Sequence, residues 1–191
     1  YAQVPVINGL SDEEHPCQAL ADLLTIQEKK GTLQGITVTY VGDGNNVANS
    51  LLLACSMMGA HFRIASPLQY RINPALIKQA REIAQESGSK VQEMRDPKTA
   101  VQGADVVYTD VWVSMGQEEE AREKESRFAG YQVNEALLSA AKKDAIFMHP
   151  LPAHEGHEVA PHLLEHPKSV VYDQAENRLH VQKAVLLELL T

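Results

Sequence analysis

Two kinds of apolar pattern alternate along this chain. Short and nearly unbroken apolar runs occur at "ITVTYVG" (36–42), "FRIAS" (62–66), "DVVYTD" (105–110), "AIFMH" (145–149) and "SVVYD" (169–173), with a weaker one, "KVQEM", near Val91. They are rich in Val, Ile, Tyr and Phe, and the better ones do not alternate with polar residues. That pattern predicts strands covered on both faces, as in parallel sheets. Helical stripes lie between them: Leu20, Leu23 and Leu24; Val47, Leu51, Ala54, Cys55 and Met58; Ile77, Ala80, Ile83 and Ala84. The alternation predicts an α/β fold, a doubly wound and mainly parallel sheet with helices on both faces, Rossmann-like in form. The last segment, "HVQKAVLLELL", is apolar around most of a helix and predicts docking onto another domain or subunit. The charge-rich stretch 116–127 reads mostly as solvated surface.

Composition narrows the picture. At 191 residues and 44% hydrophobic, the chain can build one core, so 1–191 is expected to be a single domain. A net charge of -8 argues against nucleic-acid binding, which needs clustered Lys and Arg. Cys17 and Cys55 form no C-x-x-C pair and suit a reducing, cytoplasmic setting. No apolar run approaches the roughly 20 residues that span a bilayer, so no membrane is expected. The start "YAQVPVING" has neither a signal-peptide pattern nor an initiator Met, which suggests a domain from a longer polypeptide.

The chemically promising stretches fall at predicted strand ends, where open α/β sheets bind ligands. "GDGNNVANS" begins like a dinucleotide fingerprint, but Val47 stands where a third Gly or Ala belongs. Its paired Asn residues at a helix start would instead suit a carboxylate. In "TDVWVSMGQE", Asp110 could accept from an ammonium group and Ser114 offers a hydroxyl. "HPLPAHEGHE" has His154 and His157 three apart, which does not match H-E-x-x-H, and its prolines and Gly156 oppose a ligand helix. No metal is expected there, although His149 stands at the strand terminus. His15 and Gln18 share one helix face. Arg178 could grip a phosphate or carboxylate bidentately, or form an ordinary surface ion pair.

Taken together, "HPCQALADLLT", "GDGNNVANS", "DVWVSMGQE", "HPLPA" and "YDQAENRLH" resemble the ornithine carbamoyltransferase family over nearly the whole chain, in the family's order. The resemblance is to the C-terminal, amino-acid-binding half. The N-terminal carbamoyl-phosphate-binding half, with its Ser-Thr-Arg-Thr-Arg loop, has no counterpart here. It implies that Asn46, Asp110, Ser114 and the Met115 backbone hold the α-amino and carboxylate groups of ornithine. It implies that His15, Gln18 and Arg178 contact carbamoyl phosphate. His149 and the Leu151 carbonyl would polarise and orient the reacting groups, with Leu151–Pro152 cis. The implied catalytic set is thus His149, Leu151, Asp110 and Arg178, without metal or organic cofactor, in a homotrimer. Pro150 departs from the family's usual His-Cys-Leu-Pro; His-Pro-Leu-Pro is typical of aspartate carbamoyltransferases. Aspartate or putrescine carbamoylation, a nucleotide-dependent dehydrogenase domain and a non-catalytic ligand-binding domain remain the alternatives.

Overall fold

A computed structural model describes residues 2–113 and 121–190, with the side chains of 121 and 122 left aside. The order of elements is α1 (Pro16–Lys30), β1 (Thr37–Val41), α2 (Asn46–Met57), β2 (His61–Ala65), α3 (Pro74–Ser87), β3 (Val91–Met94), α4 (Pro97–Ala100), β4 (Val106–Tyr108), α5 (Ala121–Arg127), α6 (Glu135–Ser139), β5 (Ile146–Met148) and α7 (Val171–Leu190). All strand pairings are parallel, in the order β3-β2-β1-β4-β5. The strand side chains divide between two cores. Val38, Tyr40, Val106, Tyr108, Ile146 and Met148 pack with residues of α1, α2 and α3 on one face. Val41, Val107 and Phe147 pack on the other with residues from α4 and α6 and with Val171 at the start of α7. The doubly wound, parallel reading of the sequence therefore holds.

The chain leaves β1 towards β2 and β3, then returns to place β4 on β1's other side. That reversal opens a crevice at the carboxyl ends of β1 and β4, where neighbouring loops run apart. Gly44 lies in the turn after β1, pressed against the backbone of 70–72. A Cβ there would come within 2.4 Å of the Ile72 nitrogen. The Gly44 N–H donates to the Tyr70 carbonyl at 2.7 Å.

Three expectations need correction. "SVVYD" is not a strand. Ser169 makes a single parallel bridge to Phe147, and Val171 already opens α7. The adjacent valines are buried because they seat the helix entry, and burial alone does not distinguish a strand from a helix start. Leu20 does not belong to the inward stripe of α1, being 43% exposed, whereas Leu23 and Ile26 are buried. Within the charge-rich run, Lys124 is buried and pairs with Asp43 at 2.5 Å; residues 116–120 lie outside the described ones.

The α1–α7 seam is polar. Gln18, Asp22, Thr25 and Lys29 form one stripe of α1, spaced three or four residues apart. They meet Arg178, Gln174, Asn177 and Asp173 of α7 respectively. Asp22 is wholly enclosed. Burial pushes its carboxyl up to about 7, against the pull of hydrogen bonds from Gln18, Gln174 and Tyr108 and of the Arg178 charge. Cys55 of α2 also lies within its electrostatic reach.

Two outcomes follow from this packing. Gly44→Ala is expected to lower stability by about 1–3 kcal/mol, because backbone must shift to admit the methyl group; an unchanged urea midpoint would contradict the close approach. The second concerns pH. An unfolded Asp titrates near about 4. Between about pH 4 and 7 the folded protein thus keeps a proton on Asp22 that the unfolded chain has released, and its contribution to stability falls as pH rises. His15 acts oppositely. Burial, then Arg178, drive its imidazole down to about 4, so it favours folding as pH rises towards its ordinary value. Comparison with Asp22→Asn isolates the carboxyl. Wild-type stability relative to that variant is expected to drop by a few kcal/mol between about pH 4.5 and about pH 7.5 in urea unfolding. A difference that does not change with pH would contradict the burial of an ionisable group there.

Candidate active site

Asp110 follows β4 and stands at the sheet's reversal point. Its Oδ2 accepts a 2.7 Å hydrogen bond from the side-chain amide of Asn45, and its Oδ1 accepts from the Val111 N–H at 2.8 Å. Burial pushes its carboxyl up, against the pull of the nearby His149 and of those two donors. An arriving cation would favour the ionised form further. Asn45 also caps α2 through Ala48 and accepts from the Tyr40 hydroxyl at 3.2 Å. Asn46 does not share this contact. Its amide donates to the Ser11 carbonyl at 2.8 Å, beside the segment leading into α1. Ser114 and Met115 lie outside the described residues. The Asp43–Lys124 pair ties α5, which follows them, to the turn after β1. Burial raises the Asp43 carboxyl and the lysine lowers it.

On the next strand, β5 ends at His149. The His149 ring is fully buried and both its nitrogens face protein. Nδ1 accepts from the Leu151 N–H at 2.9 Å, which leaves the ring proton on Nε2, 3.3 Å from Glu158. Glu158 also accepts from the His154 N–H. Burial acts to raise Glu158, but these donors outweigh it and hold the carboxyl below its usual value. Both ring nitrogens of His149 thus have partners within the protein. Leu151 carries a positive φ of 56° and precedes the cis bond to Pro152. With the chain bent there, the Leu151 carbonyl belongs to a tight turn at the strand's end.

Third, residues 160 apart in sequence converge. Arg178 of α7 donates to Gln18 Oε1 at 2.6 Å and lies 3.2 Å from His15 Nε2. Pro16 fixes the first turn of α1, and the His15 N–H donates to Ser50 Oγ at 2.8 Å, which fastens this corner to α2. The guanidinium of Arg178 thus goes to Gln18 and His15, and among the described residues no carboxylate pairs with it.

A buried chain of hydrogen bonds joins the second cluster to the third. The His149 N–H donates to Gln174 Oε1 at 2.9 Å, and Gln174 Nε2 donates to Asp22 at 2.7 Å. Gln18 Nε2 donates to the same oxygen at 2.8 Å. Asp22, Gln174 and Glu158 were not singled out from the sequence, and Asn45 only as one of the paired Asn residues at a helix start. The one available signal was Asp22 four residues after Gln18, a polar residue repeating on a helix face.

The chain's residues 34–189 match the aspartate/ornithine carbamoyltransferase Asp/Orn-binding domain, and residues 1–28 match the carbamoyl-P-binding domain of the same family. It is 56% identical over 190 residues to an ornithine carbamoyltransferase of Acidothermus cellulolyticus, covering all of this chain and 61% of that protein. Among solved structures, the ornithine carbamoyltransferase of Pyrococcus furiosus superposes with a TM-score of 0.94 at 57% identity, over 97% of this chain and 59% of that one. The Gloeobacter violaceus enzyme gives 0.91 at 49%, over 100% and 64%. The chain thus spans about three-fifths of the length of the curated relatives it matches. On identity, coverage and fold together, it belongs to the aspartate/ornithine carbamoyltransferase family.

Proposed function

We propose that this chain is the amino-acid-binding domain of an ornithine carbamoyltransferase together with, in residues 1–28, a piece of its carbamoyl-phosphate-binding domain, the rest of which completes the site in the whole protein. The observation that carries this reading is the convergence of Arg178, Gln18 and His15, bridged through a buried network to the strand ends where Asp110 stands. Cationic and amide groups at one corner suit carbamoyl phosphate, and a buried carboxylate nearby suits an ammonium.

In this reading Asp110 takes the α-ammonium of ornithine, with Asn46, Ser114 and the Met115 backbone completing its grip. The side chain then lies with its δ-amine towards the carbamoyl carbon. That amine attacks after losing a proton, since an alkyl ammonium titrates near about 10.4 and is no nucleophile. His15 and Arg178 stabilise the charge that develops on the carbonyl oxygen. The Leu151 carbonyl accepts from the carbamoyl NH2, and His149 holds the Leu151 amide in place. Collapse of the tetrahedral intermediate expels phosphate, which can carry away the proton, and leaves citrulline. Much of the acceleration comes from holding two reactants side by side. The reaction needs no thiol, so Pro150 is compatible with it. The buried thiols of Cys17 and Cys55 fit a reducing compartment such as the cytoplasm. A homotrimer is the assembly this reading expects.

Ornithine is favoured over aspartate because the Asp110 carboxylate would repel a second carboxylate on the substrate. Assayed with carbamoyl phosphate, the whole protein is expected to carbamoylate ornithine and to leave aspartate and putrescine largely untouched. Preferential carbamoyl-aspartate formation would overturn the assignment. Asp110→Ala is expected to lower kcat/KM for ornithine by about 100-fold or more, roughly 3 kcal/mol of lost transition-state binding. Near-normal kinetics would remove Asp110 from the site.

A further inference from the structure

The function above leaves Asp22 without a part, although it is the most thoroughly hydrogen-bonded carboxylate near the site. Its Oδ1 accepts from Gln18 Nε2 at 2.8 Å and from Gln174 Nε2 at 2.7 Å, and its Oδ2 accepts from the Tyr108 hydroxyl at 2.9 Å. The second proton of Gln174 Nε2 goes to the Tyr108 oxygen at 3.1 Å. A carboxamide has a donor end and an acceptor end, whereas Asp22 Oδ1, which receives both amides, only accepts, whether or not the carboxyl proton sits on Oδ2. Each glutamine facing Asp22 must therefore turn its NH2 inward and its oxygen outward. Those two outward oxygens are the ones that receive Arg178 at 2.6 Å and the His149 N–H at 2.9 Å. Flipping either amide would set oxygen against carboxylate on one side and N–H against N–H on the other, both in a dry interior where such mismatches are costly.

We infer that Asp22 is a positioning residue of the carbamoyl-transfer site, whose Oδ1 fixes the orientation of the Gln18 and Gln174 amides and thereby sets Arg178 and the β5 terminus in register. The inference rests on the proposed function for its kinetic consequence, and on geometry alone for the orientation of the amides. Asp22 itself is enclosed and touches no substrate. A purely structural role would be served as well by an apolar residue of similar size, since replacing buried ionised groups this way is often neutral or stabilising.

The test uses Asp22→Leu, Asp22→Asn and, as a control on the same helix seam, Thr25→Val, which breaks the bond from Asn177. In the whole protein with saturating ornithine, Asp22→Leu is expected to raise KM for carbamoyl phosphate at least about tenfold. Asp22→Asn, which keeps one acceptor oxygen, should raise it less but measurably. Thr25→Val should leave KM unchanged while lowering the melting temperature. An unaltered KM in both Asp22 variants, or an equal rise in Thr25→Val, overturns the inference; if Asp22→Leu does not fold, Asp22→Asn decides it. A wild-type protein that makes no citrulline contradicts the proposed function instead. The orientation is then read by NMR from the Gln18 and Gln174 side-chain amide protons. They should be well separated and protected in wild type, and exchange-averaged in Asp22→Asn. Identical amide signals in both would overturn it.

Discussion

A single carboxylate shut away from water, that of Asp22, organises the end of the sheet where the candidate site lies. Burying such a group is unfavourable unless donors surround it. Here they come from three elements: Gln18 within α1, Tyr108 from β4 and Gln174 from α7. Each donor is committed by the requirement that the buried carboxyl oxygens be satisfied, and each passes the constraint outward. The polar α1–α7 seam follows from it. Apolar helix faces tolerate small slips, whereas hydrogen-bonded pairs repeated at Gln18, Asp22 and Thr25 admit one register.

The parallel topology explains why these groups gather at one end. Strands running the same way bring all their carboxyl termini to one edge, and the reversal between β1 and β4 opens that edge. Asn45 after β1, Asp110 after β4 and His149 after β5 are neighbours for that reason. The two cores then have separate duties. Tyr40 and Tyr108 stack with ring centres 5.6 Å apart on the face that holds Asp22, so packing of that core and the aim of both hydroxyls are one arrangement. On the other face the His149–Glu158 pair closes the turn through Leu151.

Much of this was legible in the chain's pattern. Whereas the edge strand β3, with Gln92 and Glu93 exposed, left only the weak run near Val91, the apolar runs of β1, β4 and β5 were clear because strands buried on both faces cannot carry polar residues cheaply. "SVVYD" misled for the same reason: Val170 and Val171 are buried, but as a helix entry. The residues implied by family resemblance at the α1–α7 corner, His15, Gln18 and Arg178, do meet in space. Their supports were invisible. Asp22 and Gln174 lie 152 positions apart, and nothing local marks a polar residue whose partners arrive from distant helices. Asn45 and Asn46 are adjacent and chemically identical. Only the helix start decides that Asn45 meets Asp110 while Asn46 turns to Ser11. His149 was legible as important but not in which way, since the enclosure of its ring depends on Glu158 returning from the following loop.

The central claim is that the strand-end crevice holds the amino-acid head at Asp110 and the reacting end near Leu151 and the Gln18–Arg178 corner. It is tested most directly by a crystal structure of the whole protein with citrulline bound. The account predicts the α-ammonium within hydrogen-bond distance of the Asp110 carboxylate and the ureido group against the Leu151 carbonyl. Citrulline bound with its ureido group at Asp110, or bound away from these strand ends, would contradict it.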